Sequence, residues 1–203
     1  MLRWLIVMSE VNEKVIKASS LEVPKNSSPS FVGELISWLK IIIGAILLVA
    51  FIQRFIFMSA QVHGRSMYPT LEDGQRVILW SLLFEPRHED IIIMEHTTGD
   101  NYVKRIIGMP GDHVASSSGT IYINDIPKVE PHILISLTGR DFTLEEICQF
   151  NGCEVIPQDY YLVLGDNRNN SEDSRNFGLI HRSQIKGRVI WRFWPLTAFG
   201  SLN

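Results

Sequence analysis

Cysteine is nearly absent from this chain: Cys148 and Cys153 are the only two in 203 residues. No His or second Cys pair stands near them at the spacing a zinc site needs. A structural metal is therefore not expected, and no residue is assigned to a metal or a cofactor. The pair closes a small disulfide loop if this part of the chain lies outside the cytoplasm, and stays as two free thiols if it does not, because the redox compartment decides. An excess of basic charge is missing too. With 19 Lys and Arg against 22 Asp and Glu, the formal net charge is -3, which offers no positive field for a phosphate backbone, so nucleic acid is not an expected partner. The sequence also lacks an internal repeat, a phosphate-cradling glycine loop and the Gly-x-Ser-x-Gly elbow of α/β-hydrolases.

Charge is absent altogether from Ile41 to Ile52, inside a longer apolar stretch from Phe31 to Met58 that is interrupted by Glu34, Ser37, Lys40, Gln53 and Arg54. A membrane-spanning helix needs about 20 residues, so the expected span is 39–57, with Lys40 or Arg54 reaching an interface by its long stem. Trp38 suits one boundary, and Phe55 and Phe57 the other. An Ala-x-Ala-like cleavage site is missing and the polar region upstream is long, which argues against a cleaved signal peptide. Residues 1–38 are expected to form a polar tail, in which the apolar run from Trp4 to Met8 is too short to span a bilayer. Basic residues are balanced on the two sides of the span, so charge does not set its orientation.

Beyond the span the pattern changes to short β-favouring runs bounded by Gly, Pro and Asp, at 76–80, 90–94, 102–107, 120–123, 160–164 and 188–193. Frequent turn signals and little helical periodicity predict a mainly β, antiparallel domain over 58–203 rather than a nucleotide-binding α/β sheet. The segment 134–151 is the least strand-like and is expected to leave the sheet.

A serine hydroxyl needs a neighbouring base to become a nucleophile. The six histidines are scattered and none sits in a hydrolase motif, so each is expected to be a surface or locally bonded residue. Three other segments stand out: Gly64-Arg65-Ser66-Met67-Tyr68-Pro69-Thr70-Leu71, then Tyr102-Val103-Lys104-Arg105-Ile106-Ile107-Gly108-Met109-Pro110-Gly111-Asp112, then Gly165-Asp166-Asn167-Arg168-Asn169-Asn170-Ser171-Glu172-Asp173-Ser174-Arg175-Asn176-Phe177-Gly178. In this order they resemble type I signal peptidases, and the resemblance covers the chain from the apolar span to the last β run.

That resemblance implies Ser66 as nucleophile and Lys104 as general base, a dyad variant of the triad theme. It implies that Ser171 orients the lysine amine by a hydrogen bond and that Asp173 and Arg175 support the site. Met67, Leu71, Tyr102 and Val103 are implied as lining of shallow pockets for small side chains, which fits Ala-x-Ala-type cleavage sites. Strand alternation puts Tyr102, Lys104 and Ile106 on one face, where apolar neighbours disfavour the ammonium, as a working base requires. One branch of the family has a serine two residues before the nucleophile as an oxyanion donor. Here that position is Gly64, so a second donor beside the Ser66 N–H is expected from another backbone amide or a water. Glu89 stands where members often have glycine, which leaves the turn before Asp90 open.

The resemblance further implies signal peptides of exported pre-proteins as substrates, a lipid bilayer as surroundings, proximity to the protein-export translocon, and a single-pass enzyme facing the extracytoplasmic side of a cell membrane or a thylakoid membrane. Ser66 follows Phe57 by nine residues, so at about 3.3 to 3.6 Å per extended residue it is tethered within about 30 Å of the membrane surface. Two other functions compete. A self-cleaving regulator with the same dyad is expected to be soluble, and a β scaffold with a decayed site would not be acylated at Ser66.

Overall fold

The computed structural model describes residues 31–55, 57–133, 139–149 and 152–202. The chain divides into two compact units, Met1–Leu47 and Leu48–Asn203. Helix α1 runs Phe31–Phe55, about 37 Å at 1.5 Å per residue against a hydrocarbon core of about 30 Å. Its side chains from Phe31 to Phe51 are exposed, and the segment Phe31–Ile52 is long and apolar enough to cross a membrane. The helix begins ahead of the expected start at residue 39, so 31–38 are helical rather than tail. It also stops before Phe57, which opens a strand. The Trp4–Met8 run and the rest of 1–30 lie outside the described residues.

Among the described residues twelve strands follow in chain order: β1 (Phe57–Gln61), β2 (Arg76–Trp80), β3 (Ile91–Glu95), β4 (Asn101–Gly108), β5 (Val114–Ser117), β6 (Thr120–Ile123), β7 (Ile126–Pro127), β8 (Phe142–Thr143), β9 (Tyr160–Leu164), β10 (Ile180–His181), β11 (Ile185–Trp194) and β12 (Gly200–Ser201). Two short helices interrupt them, α2 (Leu144–Ile147) and α3 (Ser174–Phe177). The main sheet has the order β1-β2-β11-β3-β4-β9-β10 with β12 on β11, and a second sheet has the order β7-β6-β5-β8. Every pairing is antiparallel. The mainly β, antiparallel expectation therefore holds. Within 134–151, Phe142–Thr143 joins the second sheet rather than the main one.

β3 shows why the main sheet is stable. Its run Ile91-Ile92-Ile93-Met94 reads as continuously apolar, and all four are buried. Alternate residues reach opposite faces. Ile91 and Ile93 join Val62, Met67, Leu71, Val77, Leu79 and Val189 in one core cluster. Ile92 and Met94 join Phe84, Ile106, Tyr161, Val163, Ile180 and Ile185 in another. Each fully buried aliphatic side chain of this kind contributes about 1.5–3 kcal/mol. A third cluster, from Ile107, Val114, Ile121, Phe142, Leu162 and Leu164 among others, joins the two sheets. Cys148 and Cys153 form a disulfide.

β4 pairs with β3 over Asn101–Arg105 but meets β9 only from Arg105 onward. Among the described residues, Asn101–Lys104 thus leave one edge of β4 without a strand. β1 is likewise a terminal strand of the sheet. Both open edges adjoin the loop that carries Ser66.

Candidate active site

Ser66 lies in the loop between β1 and β2. The loop is set by backbone bonds from Val62 N to Gln75 O (2.8 Å), from Gly74 N to Val62 O (2.9 Å) and from Leu71 N to Met67 O (2.9 Å). Gly64 turns the chain ahead of the serine with φ +82°, a left-handed value that a side chain would strain. Its amide donates to Asp73 Oδ1 at 2.8 Å. This answers part of the oxyanion question raised by the sequence: the Gly64 N–H is committed to a carboxylate, whereas no acceptor faces the Ser66 N–H among the described residues.

Lys104, on β4, brings Nζ to 3.0 Å from Ser66 Oγ. The residue is only 3% exposed, and Nζ also lies 5.3 Å from the centre of the Tyr102 ring. Burial lowers the amine from its ordinary 10.5 to about 8, against the opposing charges of Asp173 and Glu172. Desolvation thus makes the neutral amine accessible near neutral pH. A neutral amine at hydrogen-bond distance from a hydroxyl is able to take its proton.

The third motif wraps this pair from behind. Asn167 donates its backbone N–H to Ser66 O at 3.0 Å and its side-chain amide to Arg65 O at 3.1 Å, tying the Ser66 loop to the 165–168 turn. Asp166 anchors that turn by a bidentate bond to the buried Arg105 guanidinium (2.9 and 2.7 Å) and by accepting from the Thr70 hydroxyl. Asp173, fully buried, accepts from Gly165 N at 3.0 Å, pairs with Arg175 Nε and Nη2 at 2.8 Å each, and caps α3. Asp173 and Arg175, which the resemblance implies as support for the site, form an ion pair with each other. Ser171 departs from expectation: its Oγ is buried without a hydrogen-bond partner rather than bonded to the Lys104 amine. It packs instead against Gly165, whose missing side chain leaves the space.

A cleft of about 200 Å³ opens onto Ser66 and Lys104, lined further by Gln61, His63, Asn101, Tyr102, Val103 and Glu172. Tyr102 and Val103 therefore sit where the resemblance put them. Met67 and Leu71 do not line it. They are 1% and 0% exposed in the core cluster beneath the loop, because the turn that exposes Ser66 sends its apolar neighbours inward. A wider cleft of about 680 Å³ includes Arg105 and holds neither Ser66 nor Lys104. The sequence reading gave no role to Gln61, His63, Asn101, Asp166, Asn167 or Glu172. For Asp166, Asn167 and Glu172 the signal was their place inside the third motif.

Glu89 resolves the other departure. It adopts φ +71°, the conformation in which glycine is at ease, and the turn survives because Glu89 N donates to Ile106 O (2.9 Å) and Glu89 O accepts from Arg105 Nη1 (3.0 Å).

The family model described as "Signal peptidase, peptidase S26" matches residues 35–194. This chain belongs to that signal peptidase family. A signal peptidase IB of Staphylococcus aureus (strain Mu50 / ATCC 700699) is 36% identical over 177 residues, covering 82% of this chain and 93% of the relative. A signal peptidase I of Bacillus caldolyticus is 40% identical over 165 residues, covering 76% and 89%. A solved signal peptidase I from Enterococcus faecalis V583 shares 32% identity, with 52% of this chain and 97% of that one covered at a TM-score of 0.45. As a member of the signal peptidase family, the chain is a serine peptidase, a hydrolase.

Proposed function

We propose that this signal peptidase removes signal peptides at Ala-x-Ala-type sites by acyl transfer, with Ser66 as nucleophile and Lys104 as general base, and that α1 anchors it in a membrane. The observation that carries the reading is the buried Lys104 amine, 3.0 Å from Ser66 Oγ. Lys104 takes the hydroxyl proton as Ser66 Oγ attacks the scissile carbonyl carbon. The resulting oxyanion meets the unoccupied Ser66 N–H, the kind of donor worth about 2.7–4 kcal/mol to such a transition state. Collapse breaks the C–N bond, and the proton on Lys104 passes to the departing amine. A water molecule, deprotonated by Lys104, then attacks the acyl ester and frees Ser66. Asp173, clamped by Arg175, holds Gly165 and the turn behind the dyad. Ser171 is available to orient the amine once Ser66 is acylated.

The open edges of β1 and of Asn101–Lys104 suit an extended peptide that adds a strand, with side chains alternating into and out of the cleft. The small cleft volume favours short side chains at the inward positions. No metal or organic cofactor enters these steps. In this reading α1 anchors the enzyme in a bilayer, close to the translocon that delivers its substrates, with the catalytic unit on the extracytoplasmic face of a cell or thylakoid membrane. The test is cleavage of a pre-protein in detergent by Ser66→Ala and Lys104→Met. Each is expected to stay folded and to lose activity by at least about a thousandfold. Full activity in either overturns the assignment.

A further inference from the structure

Among the described residues, Glu172 is the one carboxylate lining the cleft that holds Ser66 and Lys104. The uncharged Gln61, Asn101 and Val103 make up much of the remainder, and His63 and Tyr102 are the other titratable groups there besides Lys104. Glu172 is exposed and forms no ion pair among the described residues. Among the described residues its side chain accepts one long hydrogen bond, from Tyr102 Oη at 3.4 Å. Its position is nevertheless fixed. Ser171 and Asp173 on either side have buried polar atoms, and Asp173 is bonded to Gly165 N and Arg175. The Tyr102 ring on the opposite flank is stacked on His96 (5.0 Å between centres) and approaches Phe177 (6.4 Å). The result is a carboxylate without an ion-pair contact on a firm wall of the cleft.

We infer that Glu172, backed by Tyr102, is a specificity-determining residue that favours a lysine or arginine, and disfavours an aspartate or glutamate, at the substrate position facing this wall. The inference rests on the proposed peptide-cleaving function. The physical basis is complementarity across a contact: an unpaired fixed charge attracts its opposite, and a like charge placed against it is rejected. Glu172 is solvent-exposed, so attraction and repulsion together amount to about tenfold between a basic and an acidic substrate, rather than an absolute block. Glu172 also acts on Lys104 as an electrostatic neighbour. Its replacement therefore changes the rate for every substrate alike, and only the ratio between substrates isolates recognition.

The experiment compares full-length wild type, Glu172→Gln and Glu172→Lys in detergent. Peptide substrates carry Lys or Glu in turn at each position flanking the scissile bond, other than those requiring a small side chain. Wild type is expected to show a Lys-over-Glu ratio in kcat/KM of about tenfold at one position, lost in Glu172→Gln and inverted in Glu172→Lys. A general disturbance of the site would lower both rates and leave the ratio unchanged. Equal ratios in all three enzymes at every position overturn the inference while leaving the proposed function standing. A parent peptide that wild type does not cut overturns both.

Discussion

Gly165 and Ser171 meet so closely that no β-carbon fits between them. A Cβ built on Gly165 would stand 2.2 Å from Ser171 Oγ and 2.5 Å from Ser66 O. Gly165→Ala must therefore push the nucleophile loop away from the 165–168 turn. A displacement of about 1 Å at a reacting group costs about a hundredfold in rate. We expect Gly165→Ala to lose about that factor in kcat while the far-UV spectrum stays unchanged, and kinetics on a short peptide checks it.

As the proposed general base, Lys104 sets a pH dependence of activity. The amine is active when neutral, and burial lowers it to about 8, so kcat/KM is expected to rise with pH and level off above about 8. Asp173 and Glu172 hold the value up, so Glu172→Gln moves this limb to lower pH. A pH–rate profile with a single peptide substrate tests both statements.

The same residue sets a pH dependence of stability. The folded amine is lowered to about 8 from an ordinary 10.5. The unfolded chain therefore binds more protons between these values, and stability rises with pH across that window. Below about 8 both states carry the proton and the full penalty of the buried charge is present, about 3 kcal/mol. Lys104→Met is expected to be more stable than wild type near pH 7 and to lose the rise between about 8 and 10.5. Urea titrations at several pH values measure this.

Arg105 and Asp166 form a buried pair, 2.7 Å apart, with 8% and 1% of their side chains exposed. Removing one partner strands the other. Asp166→Ala is expected to cost about 3–5 kcal/mol in denaturant unfolding and to reduce activity as well, because Asp166 holds the turn that bonds to Ser66 O.

Much of this architecture was legible in the chain because patterning carried it. The runs at 76–80, 120–123 and 160–164 coincide with β2, β6 and β9, and the apolar runs around 90–94, 102–107 and 188–193 fall within a few residues of β3, β4 and β11. β7, β8, β10 and β12 are two residues long, too short for any period to register. β1, Phe-Met-Ser-Ala-Gln, lacks β-branched residues and directly follows an apolar helix, so the reading carried the helix on to Phe57. Within the site, the motifs single out Ser66 and Lys104, which the fold brings to 3.0 Å of each other. Met67 and Leu71 were misplaced in the cleft because an apolar residue beside a nucleophile looks the same whether it faces a ligand or the core. Ser171 was given a bond that it does not make, since residue spacing cannot tell toward which neighbour a hydroxyl turns. Glu172 has no role in the sequence reading because the lack of an ion-pair contact does not show in residue order.

The near-complete enclosure of Lys104 also bears on inhibition. Reagents that acylate surface amines will modify the accessible lysines and spare this one, and an alkylating agent that modifies the exposed His63 imidazole in the cleft leaves the Lys104 amine untouched. Under the proposed mechanism a selective blocker reacts with the Ser66 oxygen and fits a cleft of about 200 Å³. That requirement separates it chemically from drugs designed against histidine-dependent serine hydrolases in the same organism.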